Sequence, residues 1–339
     1  MPTDLMNRRF TLVRRPQGLP TADDFSLVEA PVAPLQEGQF LLRNHYASLD
    51  PAMRGWMDDA PSYMPPIRLG DPVRAATIGV VAQSRSPDFA VGQWAFGMNA
   101  VEDYSVCTAG RMTATIDPSA VPSVTNYLSV AGTVGLTAYF GLIEAGQPKA
   151  GETVLVSAAA GAVGSLVGQL AKMRGCRAIG IAGGPAKCER LLRDYGYDAA
   201  IDYRGKSQAE LVDAIRAAAP DGIDVHFENV GGEILDAALM TLRPRARVVL
   251  CGLISQYNGE PHGARNLWQL IVQGARIQGF ILSQHASGFG DAIPQLAAWA
   301  KQGRLRVDEH IETGIENALP AFLRLFSGTN QGKMILQIA

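Results

Sequence analysis

The chain has little excess charge of either sign. Thirty Lys and Arg stand against 32 Asp and Glu over 339 residues, for a formal net charge of -2. That leaves no cationic surface dense enough to hold a nucleic-acid backbone, and no acidic tail. Cysteine is scarce, and Cys107, Cys176, Cys188 and Cys251 stand far apart. Their spacing argues against a disulfide framework and a zinc cluster, and fits a reducing cytoplasm. A membrane-spanning run is also missing. The longest weakly polar stretch, "VLVSAAAGAVGSLVGQLAK" from Val154 to Lys172, carries Ser157, Ser165 and Gln169, which argues against a span. The opening "MPTDLMNRRF" lacks the apolar core of a signal peptide. Fixed-period repeats and low-complexity tracts are absent.

What is present points to a globular enzyme of about two domains. Hydrophobic residues make up 47% of the chain, enough for a large core. Before about residue 125 the pattern is of short strands, such as "FLLRNHYASL" and "TIGVVAQS", broken by turns such as "APSYMPP". After residue 150 apolar strands recur at "TVLVSA", "RAIGIA", "AAID", "GIDVHFENV", "ARVVLCG" and "RIQGFIL". Helical stretches with apolar residues at three- to four-residue spacing separate most of them. This alternation implies a doubly wound parallel sheet covered on both faces. The closing "GKMILQI" reads as a strand able to pair back onto the first region. We therefore expect residues 1–125 and 300–339 to form one discontinuous domain, with 126–299 inserted.

The strand-turn-helix at Val154 is the first candidate site. The dinucleotide pattern G-x-G-x-x-G places Ala159, Gly161 and Gly164 at its glycine positions, so the first glycine is missing. Gly161 lets the backbone approach a pyrophosphate, Gly164 allows close helix-strand packing, and the helix N-terminus offers N–H groups. Ala159 is tolerable if its φ is negative. The alternative is a tight turn with no ligand; the repeated units downstream favour cofactor binding.

The second strand selects the cofactor. NAD sites carry an acid near its end for the ribose 2′-hydroxyl. Here the strand runs into "IAGGPAKCERL", where Gly183 and Gly184 leave room and Lys187 supplies a positive charge. Lys187 is either a 2′-phosphate ligand or a solvated lysine in a first helical turn. The missing acid favours NADP(H).

"SLDPAMRGWM", "GTVGLTAYFGL", "AAAGAVGSLVGQLAK", "AGGPAKC", "FENVGG", "CGLISQYN" and "NQGKMI" follow one another in the chain. In that order they resemble the zinc-independent medium-chain dehydrogenases/reductases. The branch is that of leukotriene B4 dehydrogenase/prostaglandin reductases, plant double-bond reductases and bacterial curcumin reductase. The resemblance spans nearly the whole chain and implies a Rossmann domain inserted in a mainly β, GroES-like catalytic domain. It implies that Ala162, Val163, Gly164 and Ser165 line the pyrophosphate, and that Lys187 and Tyr203 hold the 2′-phosphate. It further implies that Asn229 and the segment Cys251, Gly252, Leu253, Ile254, Ser255 to Tyr257 line the cofactor channel. Phe280, Ile281 and Leu282 would reach the carboxamide by backbone contacts, and Thr137 and Asn330 would close on the nicotinamide half. Plainer roles are open for some: Asn229 as a helix cap, Cys251 as core, Thr137 as helix interior.

Zinc-dependent relatives need a Cys in the segment here reading "YASLDP", a His-Glu pair some twenty residues on, and often a four-cysteine lobe. Ala47 stands in the first place and "LGDPVR" where the pair belongs. His45, His226, His262, His285 and His310 are scattered, so no metal is expected. Without a Lewis acid, hydride addition to the β-carbon of a conjugated enone is the favoured chemistry. A hydroxyl can stabilise the enolate that forms, and Tyr257 is the candidate donor; simple packing on the cofactor is its other reading. Relatives commonly carry Tyr where Ala52 stands, so the substrate pocket is wider there or filled from elsewhere. Tyr63 is a candidate for the pocket mouth or a surface tyrosine. Asp50 and Arg54 read as structural, a turn acid and a charge partner. The competing readings are a quinone reductase on the same fold and a non-catalytic NADPH- or RNA-binding relative. Exposed pairing of "RIQGFIL" edges, together with the resemblance, implies a homodimer.

Overall fold

The computed structural model describes residues 5–110 and 112–339. Residues 1–4 of the opening segment lie outside the described residues. The chain divides into two compact units, Met1–Leu128 with Glu309–Ala339, and Ser129–Asp308. Residues 126–128 thus fall with the first unit and 300–308 with the second.

The inserted unit is a six-stranded parallel sheet. Its strands are β1 (Thr153–Val156), β2 (Arg177–Ala182), β3 (Ala199–Asp202), β4 (Ile223–Glu228), β5 (Leu242–Leu250) and β6 (Arg276–Gly279). Their order across the sheet is β3-β2-β1-β4-β5-β6, every pair parallel. The order reverses between β1 and β4, which opens a crevice at their carboxyl ends. Alternate side chains serve opposite faces, as a strand's period of two requires. Val154, Val156, Phe227 and Val249 pack with Leu166 and Leu170 on one side. Leu155, Ile179, Ile181 and Val248 pack with Leu211, Ile215 and Leu235 on the other. In β1, β2 and β4 both faces are buried, which is why these strands read as unbroken apolar runs rather than alternating ones.

Four strands end earlier than their apolar runs suggest, β4 among them, which stops at Glu228. β1 stops at Val156, because Ala158 turns left-handed at φ 46°. β5 stops at Leu250 and β6 at Gly279, so Cys251, Gly252 and Phe280 to Leu282 belong to the loops beyond the sheet. Of these loop residues, Cys251, Phe280 and Leu282 pack against the end of the core rather than pairing.

The other unit is mainly β. Its seven-stranded sheet runs Glu309–Thr313, Lys333–Gln337, Gln39–Ser48, Arg74–Ser84, Trp94–Ala100 and Thr113–Thr115, with Tyr104–Thr108 also paired to Gln39–Ser48. Met6–Leu12 and Phe25–Pro31 form a separate hairpin. The C-terminal strand pairs antiparallel with Gln39–Ser48, Ile335 opposite Ser48. That pairing returns the tail to the first region. The segment after Ser48 is fixed by a buried lysine. Lys333 Nζ donates to Leu49 O at 2.6 Å and lies 2.8 Å from Asp50 Oδ1. Burial depresses the Lys333 pKa against the pull of Asp50. Asp50 therefore pairs with Lys333, while Arg54 pairs with Asp58 at 2.6 Å, so the two are structural but not partners of one another.

Candidate active site

The turn after β1 is built around one conformation. Ala158 sits at φ 46°, where an L-residue is strained by about 1–2 kcal/mol. Its carbonyl accepts from Gly161 N at 2.9 Å, closing the turn. A Cβ at Gly164 would lie 2.4 Å from that carbonyl and 2.7 Å from Ala159 Cα, so only glycine fits. Ala159 is not among the positive-φ residues, which explains why the missing first glycine is tolerated. Its methyl is fully buried against Gly180 of β2, where an added Cβ would come within 2.8 Å. The glycine has in effect moved to the neighbouring strand.

Gly161 is the N-cap of α1 (Ala162–Met173), and no side chain caps that helix. The first-turn N–H groups of Ala162, Val163 and Gly164 have no intrahelical acceptor, and a pyrophosphate would satisfy them. Ser165 differs. Its N–H donates to Gly161 O at 3.0 Å, and its hydroxyl donates to Ala162 O at 3.1 Å. Both its hydrogens are committed inside the helix.

A basic cluster surrounds the glycine pair after β2. Gly184, at φ 93°, caps α2 (Pro185–Tyr195), with Pro185 preset for the first turn. A Cβ on Gly183 would come within 3.1 Å of Arg204 Nε and 3.2 Å of Tyr203 Oη. Lys187, half-buried on α2, has its pKa lowered by burial and then by the positive charges of Arg204 and Arg190. Cations gathered against their own repulsion are what a phosphate dianion would relieve. Arg204 was missed in the sequence; its only signal was adjacency to Tyr203. The acid missing from β2 stands instead on β3. Asp202 Oδ1 accepts from Gly184 N at 2.7 Å and Arg204 N at 3.0 Å, which holds its carboxyl below the usual range. It is spent on shaping the turn.

The loops beyond β4 and β5 are tied together. Cys251 N donates to Glu228 O at 2.9 Å, Ile254 N to Asn229 O at 3.1 Å, and Ser255 Oγ to Val230 O at 2.6 Å. Asn229 does not cap the following helix, whose N-cap is Gly231. Its side-chain amide donates to Ser157 O at 2.7 Å. Burial pushes the Cys251 thiol up to about 12, so it is an unreactive thiol. Tyr257 closes a short helical turn and folds back on the loop. Its Oη accepts from Leu253 N at 3.3 Å, and a Cβ on Gly252 would lie 3.1 Å from it. Thr137 is half-buried within the helix Thr133–Phe140. Phe280 stacks on His285, centroids 5.2 Å apart, directly beyond β6; Ile281 is exposed and Leu282 half-buried.

The inserted unit thus gathers the turn residues, Lys187, Tyr203, Asn229 and the 251–257 segment along the carboxyl ends of its strands. Three other positions lie in the β unit. Asn330 is buried and donates to Gly332 O at 3.0 Å, shaping its own turn. Ala52 is half-buried beside the short helix Met53–Trp56. Tyr63 is 58% exposed, its ring edge-on to Trp56 at 6.4 Å. Among the described residues no group of three or more His, Cys, Asp or Glu could hold a metal ion. Ala47, at the expected ligand position, is fully buried.

Residues 8–115 match the family described as N-terminal domain of oxidoreductase, and residues 162–301 match zinc-binding dehydrogenase. The chain is 40% identical to the NADPH-dependent curcumin reductase of Escherichia coli (strain K12), covering 98% of this chain and 97% of that protein. It is 36% identical to the NADP-dependent 2-alkenal reductase of Nicotiana tabacum, over 100% of this chain and 99% of the relative. The crystal structure of CurA from Vibrio vulnificus in complex with NADPH superposes with a TM-score of 0.91 at 38% identity, covering 98% and 99% of the two chains.

Proposed function

Because the chain belongs to the zinc-independent branch of the medium-chain dehydrogenases/reductases, we propose that it reduces the carbon–carbon double bond of α,β-unsaturated ketones and aldehydes with NADPH. The observation that carries this reading is the near full-length match to the curcumin and 2-alkenal reductases. The structure fits the cofactor: glycines at 161 and 164 form a cradle that a Cβ would crowd, and Lys187, Tyr203 and Arg204 supply a 2′-phosphate's donors. When bound, NADPH supplies the hydride that adds to the substrate's β-carbon. The protein's part is to bind, orient and stabilise. Tyr257 hydrogen-bonds the carbonyl oxygen as negative charge collects there, and solvent protonates the α-carbon. The N–H of Leu253 on its Oη holds the hydroxyl in place and strengthens it as a donor. By the resemblance, Ala52 and Tyr63 are substrate-side positions and Thr137 is a nicotinamide-side one. NADPH consumption across a panel of enones, enals and quinones tests the reading: rapid turnover of quinones with little enone activity would replace it.

No metal takes part in this account, because Ala47 and the scattered histidines offer no ligand set. Prolonged chelation is expected to leave activity intact. Stoichiometric zinc, lost together with activity, would overturn it.

We also propose a homodimer. β6 is an edge strand, and the preceding helix Trp268–Gln273 exposes Trp268 by 67%, Ile271 by 70% and Val272 by 56%. Edge and apolar face together suit pairing across a two-fold axis. Light scattering at micromolar concentration is expected to give the dimer mass; a monomer refutes it. The four cysteines are free thiols, consistent with action in the cytoplasm, and no described helix is long and apolar enough to cross a membrane.

A further inference from the structure

Beneath the cofactor crevice lies a buried polar chain that the proposed reaction does not use. Glu228, the last residue of β4, is fully buried, and so are Ser157 and His226. Ser157 Oγ donates to Glu228 Oε1 at 2.6 Å, and Gly231 N donates to the same oxygen at 2.9 Å. His226 Nε2 lies 2.6 Å from Glu228 Oε2, and its Nδ1 faces Leu155 O at 3.2 Å. Ser157 Oγ also accepts from Asn229 N at 2.7 Å, while Ser157 O accepts from the Asn229 side chain at 2.7 Å.

A buried carboxylate is costly unless every lone pair is used. Here burial works to raise the Glu228 pKa, but the neighbouring His226 and the surrounding donors outweigh it and hold the group ionised. His226 faces a carbonyl with one nitrogen, which must therefore carry a hydrogen, and a carboxylate with the other. The chain joins β1 to β4, the two strands between which the sheet order reverses. At one end, Ser157 immediately precedes Ala158, the strained residue that starts the pyrophosphate turn. At the other end, Glu228 receives the N–H groups of Val230 and Gly231, which start the loop zippered to the Tyr257 segment.

We propose that Ser157 and Glu228 are positioning residues for the cofactor: their hydrogen-bonded strut, braced by His226, fixes the pyrophosphate turn relative to the loop after β4. Neither touches the reacting atoms. The inference rests on the NADPH reading above. The strut holds Ala158 in a conformation that glycine would adopt more readily. The serine that precedes it is clamped, so the turn is set before the cofactor arrives and binding does not have to order it.

The test is NADPH binding by fluorescence titration, together with saturation kinetics, on the full-length protein. Ser157→Ala removes the link and orphans Asn229 N. The NADPH Kd is expected to rise about tenfold, with kcat at saturating NADPH changing by less than about twofold. Glu228→Ala is expected to weaken NADPH at least as much. Glu228→Gln can keep the bonds from Ser157, Val230 and Gly231 and still donate to a neutral His226, so it recovers most of that loss. A merely structural role would lower the folded fraction and the melting temperature but leave the Kd of the folded protein unchanged. If Ser157→Ala does not fold, the near-isosteric Ser157→Cys carries the test, with its weaker bonds giving a rise of about threefold. An unchanged Kd in the folded variants overturns the strut, as does a Glu228→Gln variant no better than Glu228→Ala. Failure of the unaltered protein to bind NADPH would instead overturn the cofactor reading.

Discussion

Lys187→Ala is expected to raise KM for NADPH about 10- to 150-fold and to leave KM for NADH little changed. The figure is that of one charge-assisted hydrogen bond, about 1.5–3 kcal/mol, with a tenfold change for every 1.4 kcal/mol. The physical basis is Arg204 and Tyr203 packed beside Gly183, and the repulsion that Arg204 exerts on half-buried Lys187. A 2′-phosphate relieves the mutual repulsion of the two cations; a ribose hydroxyl does not. Removing both Lys187 and Arg204 is expected to narrow the preference for NADPH further. Because both side chains would contact one phosphate, their effects should not add simply. Steady-state kinetics with each cofactor checks the result. Equal losses with NADPH and NADH would mean that the cluster serves the fold of the turn rather than the phosphate.

The second large effect is on the chemical step. Tyr257→Phe is expected to lower kcat for enones about 10- to 100-fold while the NADPH Kd changes little. Loss of a single oxyanion donor costs about 100- to 1000-fold when it acts alone. A cofactor ribose hydroxyl can share the charge, which places the expectation at or below the lower end. The hydroxyl is placed by the loop rather than by the sheet. The strand ends at Leu250, and Leu253 N donates to Tyr257 Oη across the intervening turn. Phenylalanine keeps the ring's packing beside Gly252 and removes only the hydrogen-bonding atom. The variant therefore loses transition-state stabilisation more than ground-state binding. An unchanged kcat with weakened NADPH binding would make Tyr257 a packing residue.

Much of this architecture was legible because it rests on period and punctuation. The parallel sheet follows from apolar runs separated by helical spacing, and each of its six strands lies within one of those runs or overlaps it. The tight strand-turn-helix after β1 could be read despite Ala159, since Gly164 is the position where backbone contact leaves no room for a Cβ. What could not be read is what depends on contacts distant in sequence. Gly180 makes space for the Ala159 methyl from a neighbouring strand, and nothing in a one-dimensional pattern marks it. Asp202 looks like a strand-end acid available to a ribose, yet its carboxylate is occupied by two backbone N–H groups. His226 and Glu228 sit two apart in an apolar run. His226 reads in sequence as one scattered histidine and nothing marks Glu228; only the fold shows them enclosed together. Strand ends were overestimated for the same reason: Cys251 and Phe280 are apolar because they cap a core, and composition does not separate capping from pairing.

The central claim is that hydride reaches the β-carbon of a conjugated carbonyl. Its most direct test is turnover of an enone with NADPH deuterated at C4 on the transferred face, followed by mass spectrometry and NMR of the product. The account predicts a saturated ketone bearing one deuterium at the β-carbon, formed by the metal-free enzyme. An allylic alcohol with deuterium on the carbinol carbon would contradict it.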